Sequence, residues 1–300
     1  MATPSKGLVL VTGLRGFTGG YLRSLLLETG YRVAGFTEGP PKEAHEYRVD
    51  IRDAAAVRQA VSALQPDYVV HLAAISFVAH ADAGELYDVN IKGTLNLVEA
   101  LRHQRRPLRK LLVASSGNVY GAAAGSEPIG EDAVPQPLNH YGVSKLAAEQ
   151  VVNLATDAVP AVVARPFNYT GVGQAGNFIV PKLVSAFRHR ERQISLGNID
   201  TIRDFSDVRW IARTYLALLE ADFRGTVNVC SGYGVRVRDI LETLQRLAGH
   251  EIQTDIDASL LRSNEIHTLI GSPRKLESVL AVPPRPALTE TLEWMYSTAS

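Results

Sequence analysis

Short runs rich in β-branched residues alternate with longer amphipathic runs over the first 170 positions, and this rhythm limits the fold more than any other feature. "GLVLVTG" reads as a strand, "FTGGYLRSLLLETG" as a helix closed by Gly30, and "YRVAGF" as a second strand. "DAAAVRQAVSAL" predicts a helix with Asp53 as its N-cap, followed by the strand "DYVVHLAA". "AGELYDVNIKGTLNLVEALRHQ" predicts one long helix, "RKLLVASS" a strand, "LNHYGVSKLAAEQVVNLAT" a helix and "AVVARPFN" a strand. The strands are nearly continuous in apolar residues, so both faces of their sheet must be covered. The expectation is an α/β fold built on a doubly wound parallel sheet.

Beyond residue 170 the rhythm loosens. A glycine-rich loop, "TGVGQAGN", precedes the helices "FIVPKLVSAFRHR" and "DVRWIARTYLALLE", and "GTVNVCSG" reads as a strand returning to the sheet. The expected organisation is a dinucleotide-binding domain over residues 1–170 and a smaller α/β part over 171–300. The second part mainly binds substrate, sends segments back to the first sheet, and shares one cleft with it. The chain carries 31 basic and 31 acidic residues, so no global field draws it to nucleic acid or an anionic membrane, and any anion site must be local. The runs "LRHQRRPLRK" and "FRHRER" read as solvated faces. A single cysteine, Cys230, lies in an apolar stretch and reads as a buried strand residue; a disulfide framework is excluded. The histidines show no paired-ligand spacing, so no metal is expected. No apolar run approaches ~20 residues, and a cytoplasmic protein is expected.

Three constellations carry chemistry. In "VTGLRGFTGG", Gly13, Gly16 and Gly19 follow the first strand and open the first helix, where a dinucleotide pyrophosphate needs close backbone approach and N–H donors. At the end of the second strand, where a carboxylate would bind a ribose 2′-hydroxyl, stands Thr37, with Glu38 one step later. Arg15 inside the glycine loop could face a 2′-phosphate, which leans towards NADP(H) with NAD(H) still possible; an Arg15 merely exposed to solvent is the alternative. Asp50 in "RVDIRD" could accept from the adenine amino group or simply hold a turn.

In "YGVSK", Tyr141 and Lys145 are four apart in a helical stretch and share a face. A phenol is a poor acid–base group near neutral pH until a cation stabilises its phenolate, and Lys145 would be that cation. Ser116 ends an earlier strand in "ASSGNVYG".

Gly13, Gly16 and Gly19, the strand "VVHLAA", Asn90 in "VNIKGT", "SSGNVYG", "YGVSK" and "RPFN" together resemble the extended short-chain dehydrogenase/reductase family, collinearly and over nearly the whole chain. The run "ARPFNYTGVGQ … LGNIDTIRDFSDV … NVCSG" is most similar to the GDP-6-deoxy-4-keto-D-mannose reductases, relatives of the GDP-mannose 4,6-dehydratases. The resemblance implies a Rossmann sheet and a catalytic triad of Ser116, Tyr141 and Lys145. Ser116 holds the family's position four residues before Tyr120. It further implies cofactor contacts from Phe17, Ile51, Leu72, Ala73, Ala74 and Asn90, and a homodimer joined through the helices "AGELYDVNIKGTLNLVEAL" and "LNHYGVSKLAAEQVV".

Family 4,6-dehydratases carry a glutamate two residues after the catalytic hydroxyl. Here Asn118 stands there, and an amide cannot take a C5 proton, so ketone reduction is expected rather than dehydration. Asn118 could still hydrogen-bond substrate or only stabilise its turn. The resemblance also assigns Asn168 to the sugar and Arg203 and Arg262 to the substrate diphosphate, with surface ion pairing as the alternative for each arginine. Ser263 replaces the proline usual after the second arginine. The expected activity is NADP(H)-dependent reduction of a nucleotide-linked 4-keto-6-deoxyhexose, GDP-4-keto-6-deoxy-D-mannose to GDP-D-rhamnose. The rivals are a UDP-sugar 4-epimerase with tightly held NAD, a dTDP- or UDP-4-keto-6-deoxysugar reductase, and a non-catalytic NADP sensor.

Overall fold

The computed structural model describes residues 5–298 apart from 79, 81, 124–126 and 261–264. Strands and helices alternate from the start: β1 (Leu8–Thr12), α1 (Phe17–Glu28), β2 (Arg32–Thr37), β3 (Glu46–Arg48), α2 (Ala54–Leu64), β4 (Tyr68–His71), α3 (Ala83–Tyr87), α4 (Gly93–Arg102), β5 (Lys110–Ala114), α5 (His140–Asn153) and β6 (Ala161–Pro166). The remainder adds β7 (Asn168–Thr170), α6 (Ile179–Arg188), β8 (Gln193–Leu196), β9 (Ile202–Asp207), α7 (Val208–Glu220), β10 (Gly225–Val229), β11 (Gly234–Arg236), α8 (Val237–Ala248), β12 (Gln253–Ile256), β13 (Thr268–Leu269), α9 (Arg274–Val279) and α10 (Leu288–Ser297).

The principal sheet has the order β10-β6-β5-β4-β1-β2-β3, and all its pairings are parallel. This is a doubly wound Rossmann sheet: the order reverses between β1 and β4, which leaves a crevice at the carboxyl ends of the strands. One face is covered by α1 and α7, where Leu22, Leu26, Trp210 and Tyr215 pack on Val9, Val11, Ala164 and Val229. The other is covered by α2, α4 and α5, whose Val57, Val61, Leu97 and Val152 pack on Leu10, Val69, Leu111 and Val163. Burial on both faces explains why the strands read as unbroken apolar runs.

Several local signals act as expected. The Asp53 carboxylate accepts from the N–H groups of Ala55 and Ala56 and caps α2. Gly30, at φ +89, turns the chain from α1 into β2. One expectation fails. The long helix over 83–104 is interrupted by a π turn, Asp88–Lys92. Asn90 in that turn reaches out of the helix: its Oδ1 accepts from the Ile75 N–H (2.9 Å), and its Nδ2 donates to the Ile75 carbonyl (3.1 Å) and to Ser144 Oγ (2.9 Å). These bonds bind the loop after β4 to α5 across the inserted residue.

The second lobe is built around β9, flanked by β11 and β13 and joined by β7. A two-stranded parallel pair, β8–β12, lies beside it. Its own core gathers Leu183, Phe187, Leu196, Phe205, Ile240, Leu244 and Met295. No helix among the described residues is long and apolar enough to cross a membrane.

Candidate active site

Between the two lobes runs one cleft of about 770 Å³, walled by the turns after β1, β4, β5 and β6 and by α5, α6 and β9. The turn after β1 shows why glycine is needed there. Gly13 has φ +71, and a Cβ on it would stand 2.9 Å from the Ala73 backbone nitrogen. Asp53, Asp82, Asn139 and Asp207 cap α2, α3, α5 and α7, whereas α1 starts at Gly16 with no side-chain cap. Its first-turn N–H groups lie on the cleft wall without a side-chain acceptor, and they fit the pyrophosphate of a nicotinamide dinucleotide.

The cleft brings together Gly13, Gly16, Phe17, Gly19, Leu72, Ala74, Ser116, Asn118, Tyr141, Lys145, Asn168 and Arg203. Ser116 caps a short 3-10 turn after β5, and its Oγ accepts from the Asn118 N–H (3.1 Å) and from Asn118 Nδ2 (3.2 Å). The neighbouring Ser115 hydroxyl is bound instead to the buried Glu149 carboxylate. Tyr141 and Lys145 are both buried on α5, which Asn139 caps by accepting from the Gly142 N–H (2.8 Å). Burial pushes the Tyr141 phenol up to about 12, while its hydrogen bond with Ser116 draws it back down. The phenol is therefore a neutral proton donor at pH 7. Burial also pushes Lys145 down to about 8, against the Glu149 carboxylate, which raises it. The anticipated pull of Lys145 on the phenol is absent from the groups that act on Tyr141; its charge falls on His71, which burial and Lys145 together depress to about 3.

Other residues singled out in the sequence lie off the cleft wall. Arg15 pairs with Glu46 rather than standing free in solvent. The Thr37 hydroxyl donates to the Gly39 carbonyl (3.1 Å). Asp50 is gripped by Arg52, with Nη2 donating at 2.8 Å. Ile51 is buried, with its carbonyl accepting from Asn96 Nδ2 (2.9 Å), and the Ala73 N–H donates to Thr12 Oγ1 (3.1 Å). Asn90 serves the loop clamp described above. Arg262 lies outside the described residues.

The cleft also holds groups that sequence reasoning missed, among them Asn177, Lys182 and Glu265. Lys182 Nζ donates to the Ser195 carbonyl (2.7 Å) and is a further cation beside Arg203 on the second-lobe wall. Its signal was a lone charge in the apolar run "FIVPKLV".

Comparison with known proteins bears on the family and the fold. The profile of the NAD dependent epimerase/dehydratase family matches residues 9–230. The chain is 35% identical to a GDP-6-deoxy-D-talose 4-dehydrogenase of Aggregatibacter actinomycetemcomitans, over 91% of this chain and 90% of that protein. It is 33% identical to the GDP-6-deoxy-D-mannose reductase of Pseudomonas aeruginosa, over 96% of each. Among solved structures, RMD from Pseudomonas aeruginosa complexed with NADPH superposes with a TM-score of 0.85 at 31% identity, covering 97% of this chain and 98% of that one. The Thermus thermophilus UDP-glucose 4-epimerase complex with NAD gives 0.87 at 27% identity, covering 96% and 97%. The chain belongs to the NAD dependent epimerase/dehydratase family and is an enzyme of the extended short-chain dehydrogenase/reductases.

Proposed function

We propose that the protein reduces the C4 ketone of a nucleotide-linked 4-keto-6-deoxyhexose with NADPH, converting GDP-4-keto-6-deoxy-D-mannose to GDP-D-rhamnose. The observation that carries this reading is the shared wall of Ser116, Tyr141 and Lys145, with an amide, Asn118, where dehydration would need a carboxylate. The dinucleotide supplies the hydride when bound. Ser116 Oγ accepts from both Asn118 donors, so its proton is the one directed at the Tyr141 oxygen, and it turns to the ketone oxygen when substrate enters. Tyr141 gives its proton to the forming alkoxide, the Ser116 hydroxyl that already draws the phenol down supports the phenolate left behind, and Lys145, one turn along α5, holds the nicotinamide ribose. Lys182 and Arg203 supply charge for the diphosphate. The names of the Aggregatibacter and Pseudomonas relatives support a GDP-linked deoxyhexose. The reading includes a homodimer joined through α4 and α5, where Leu95 and Val143 stand exposed.

The test is a panel of GDP-, dTDP- and UDP-4-keto-6-deoxysugars offered with NADPH or NADH, with cofactor absorbance followed and the product identified by NMR. Turnover should require the GDP sugar and fall about 10²–10⁴-fold in Tyr141→Phe with NADPH binding kept. Undiminished turnover in that variant would remove the mechanism. Protein that purifies with stoichiometric NAD and epimerises a UDP sugar without added cofactor would establish the 4-epimerase reading, which the likeness to the Thermus structure supports. A monomeric mass in sedimentation would remove the dimer.

A further inference from the structure

The turn after β1 carries an ion pair that the catalytic mechanism does not use. Arg15 Nε donates to Glu46 Oε1 at 3.0 Å, and its Nη2 donates to Glu46 Oε2 and, at 2.8 Å, to the Pro40 carbonyl. Glu46 opens β3 with only 4% of its side chain exposed. Its carboxylate also accepts the backbone N–H groups of Lys42 (2.6 Å) and Glu43 (3.2 Å), so the loop from β2 to β3 fixes it in place. Arg15 and these donors hold the acid down at about 2, so it is charged at every working pH. Arg23, the next cation along α1, is likewise matched, by Glu43.

The position of this pair matters because of what flanks it. Gly13 and Gly16, on either side of Arg15, line the cleft, and Thr37 ends β2 beside it. In a doubly wound sheet the end of the second strand meets the adenine ribose 2′ position, where a carboxylate selects the hydroxyl and an arginine the phosphate. Here Thr37 ends the strand, with the Glu38 carboxylate one step beyond it, and Arg15 is a cation at hand, with Nη1 lying over Gly39 at 3.5 Å from where a Cβ would be. An uncompensated guanidinium there would strongly favour a 2′-phosphate. Glu46 cancels its charge and occupies two of its donors, and its backbone bonds keep it from swinging away.

We infer that Glu46 is the residue that sets the choice between NADPH and NADH, by compensating Arg15 and so limiting the selectivity for a 2′-phosphate. The pair is neutral as a unit and nearly indifferent to a ribose hydroxyl, which is neutral itself. A phosphate dianion gains from Arg15 but is opposed by the fixed carboxylate behind it. This deepens the cofactor half of the proposed function and rests on that reading only for the class of dinucleotide.

The test is Glu46→Gln, which keeps the shape and an acceptor for Arg15 while removing the charge. Dissociation constants for NADPH and NADH are measured by fluorescence titration with no sugar present, so the outcome does not depend on which ketone is reduced. NADPH should bind roughly tenfold tighter than to the parent, with NADH unchanged. The gain should shrink with added salt and vanish in the double variant E46Q/R15M. Glu46→Asp, which withdraws the carboxylate by one methylene, should move NADPH the same way by less, and it serves if the glutamine variant folds poorly. An unchanged NADPH-to-NADH ratio overturns the inference. So does weaker NADPH binding, which would make Glu46 an orienting partner of Arg15 instead of a brake on it.

Discussion

Lys145 is enclosed by the protein and still carries the cation the site needs at neutral pH. With its pKa near 8, the free protein loses that charge as the pH passes 8, while neighbouring His71 is already neutral and Tyr141, near 12, is still protonated. Accordingly, kcat/KM measured against varied NADPH, which reports ionisations of the free protein, should be level below pH 8 and fall above it. Glu149→Gln removes the carboxylate that raises Lys145 and should move the falling limb to lower pH; a limb that stays in place would assign it to another group. Folding stability follows the same shift. The unfolded chain keeps this proton to about 10.5 while the folded one releases it near 8, so this group's contribution to stability rises with pH between those values. Ser116, Tyr141 and Lys145 were legible because their chemistry depends on residue type and short spacing. The engagement of Arg15 was not, because its partner lies 31 positions away and reaches it only through the pairing of β2 with β3. Nor was Lys182, a single charge whose meaning depends on which lobe its helix faces.

At the scale of elements, α5 is fastened to three strands by one buried network. Tyr141, Lys145 and Glu149 follow each other at four-residue steps along one stripe of the helix. Glu149 accepts from Arg165 of β6 through Nε at 2.9 Å and Nη2 at 2.6 Å, and from Ser115 at the end of β5. Arg165 Nη1 donates to the Tyr120 hydroxyl (3.0 Å), which donates to Asn228 Oδ1 in β10 (2.7 Å). The network sets the catalytic stripe against the turn that holds Ser116. Arg165→Met should strand the Glu149 carboxylate in the core and cost about 3–5 kcal/mol of unfolding free energy in urea. The double variant with Glu149→Gln should lose less than the sum of the two singles; additive losses would mean the residues are not coupled. Sequence periodicity found α5 and its neighbours but not the π turn before α4. That turn exists to aim Asn90 at Ile75 and Ser144, and neither partner is visible in a local pattern.

At the scale of the whole molecule, the doubly wound parallel sheet was readable from the alternation of strands and helices in the first half, whereas β3, only three residues long, gave no pattern of its own. The boundary at residue 170 does not divide two self-sufficient bodies. α7 buries Trp210, Tyr215 and Leu219 against the face of the first sheet, and β10 pairs with β6 as its outermost strand. A fragment of residues 1–170 therefore lacks an edge strand and the cover of one face. It should show neither dispersed amide resonances nor a cooperative melt, and a fragment that folds and binds NADPH would contradict this account of the core.

The route of the chain between the lobes has a mechanical consequence. The polypeptide leaves the sheet through Phe167, between β6 and β7, comes back where β9 runs directly into α7, and departs again after β10. These stitches lie along the edge that carries Asn168 and Asp207. The outer lobe cannot swing on a single pivot, and any tilt must flex several seams at once, while Ser116 and the stripe of α5 stay fixed to the first sheet, so the second-lobe wall can only shift slightly against a stationary set of reacting groups.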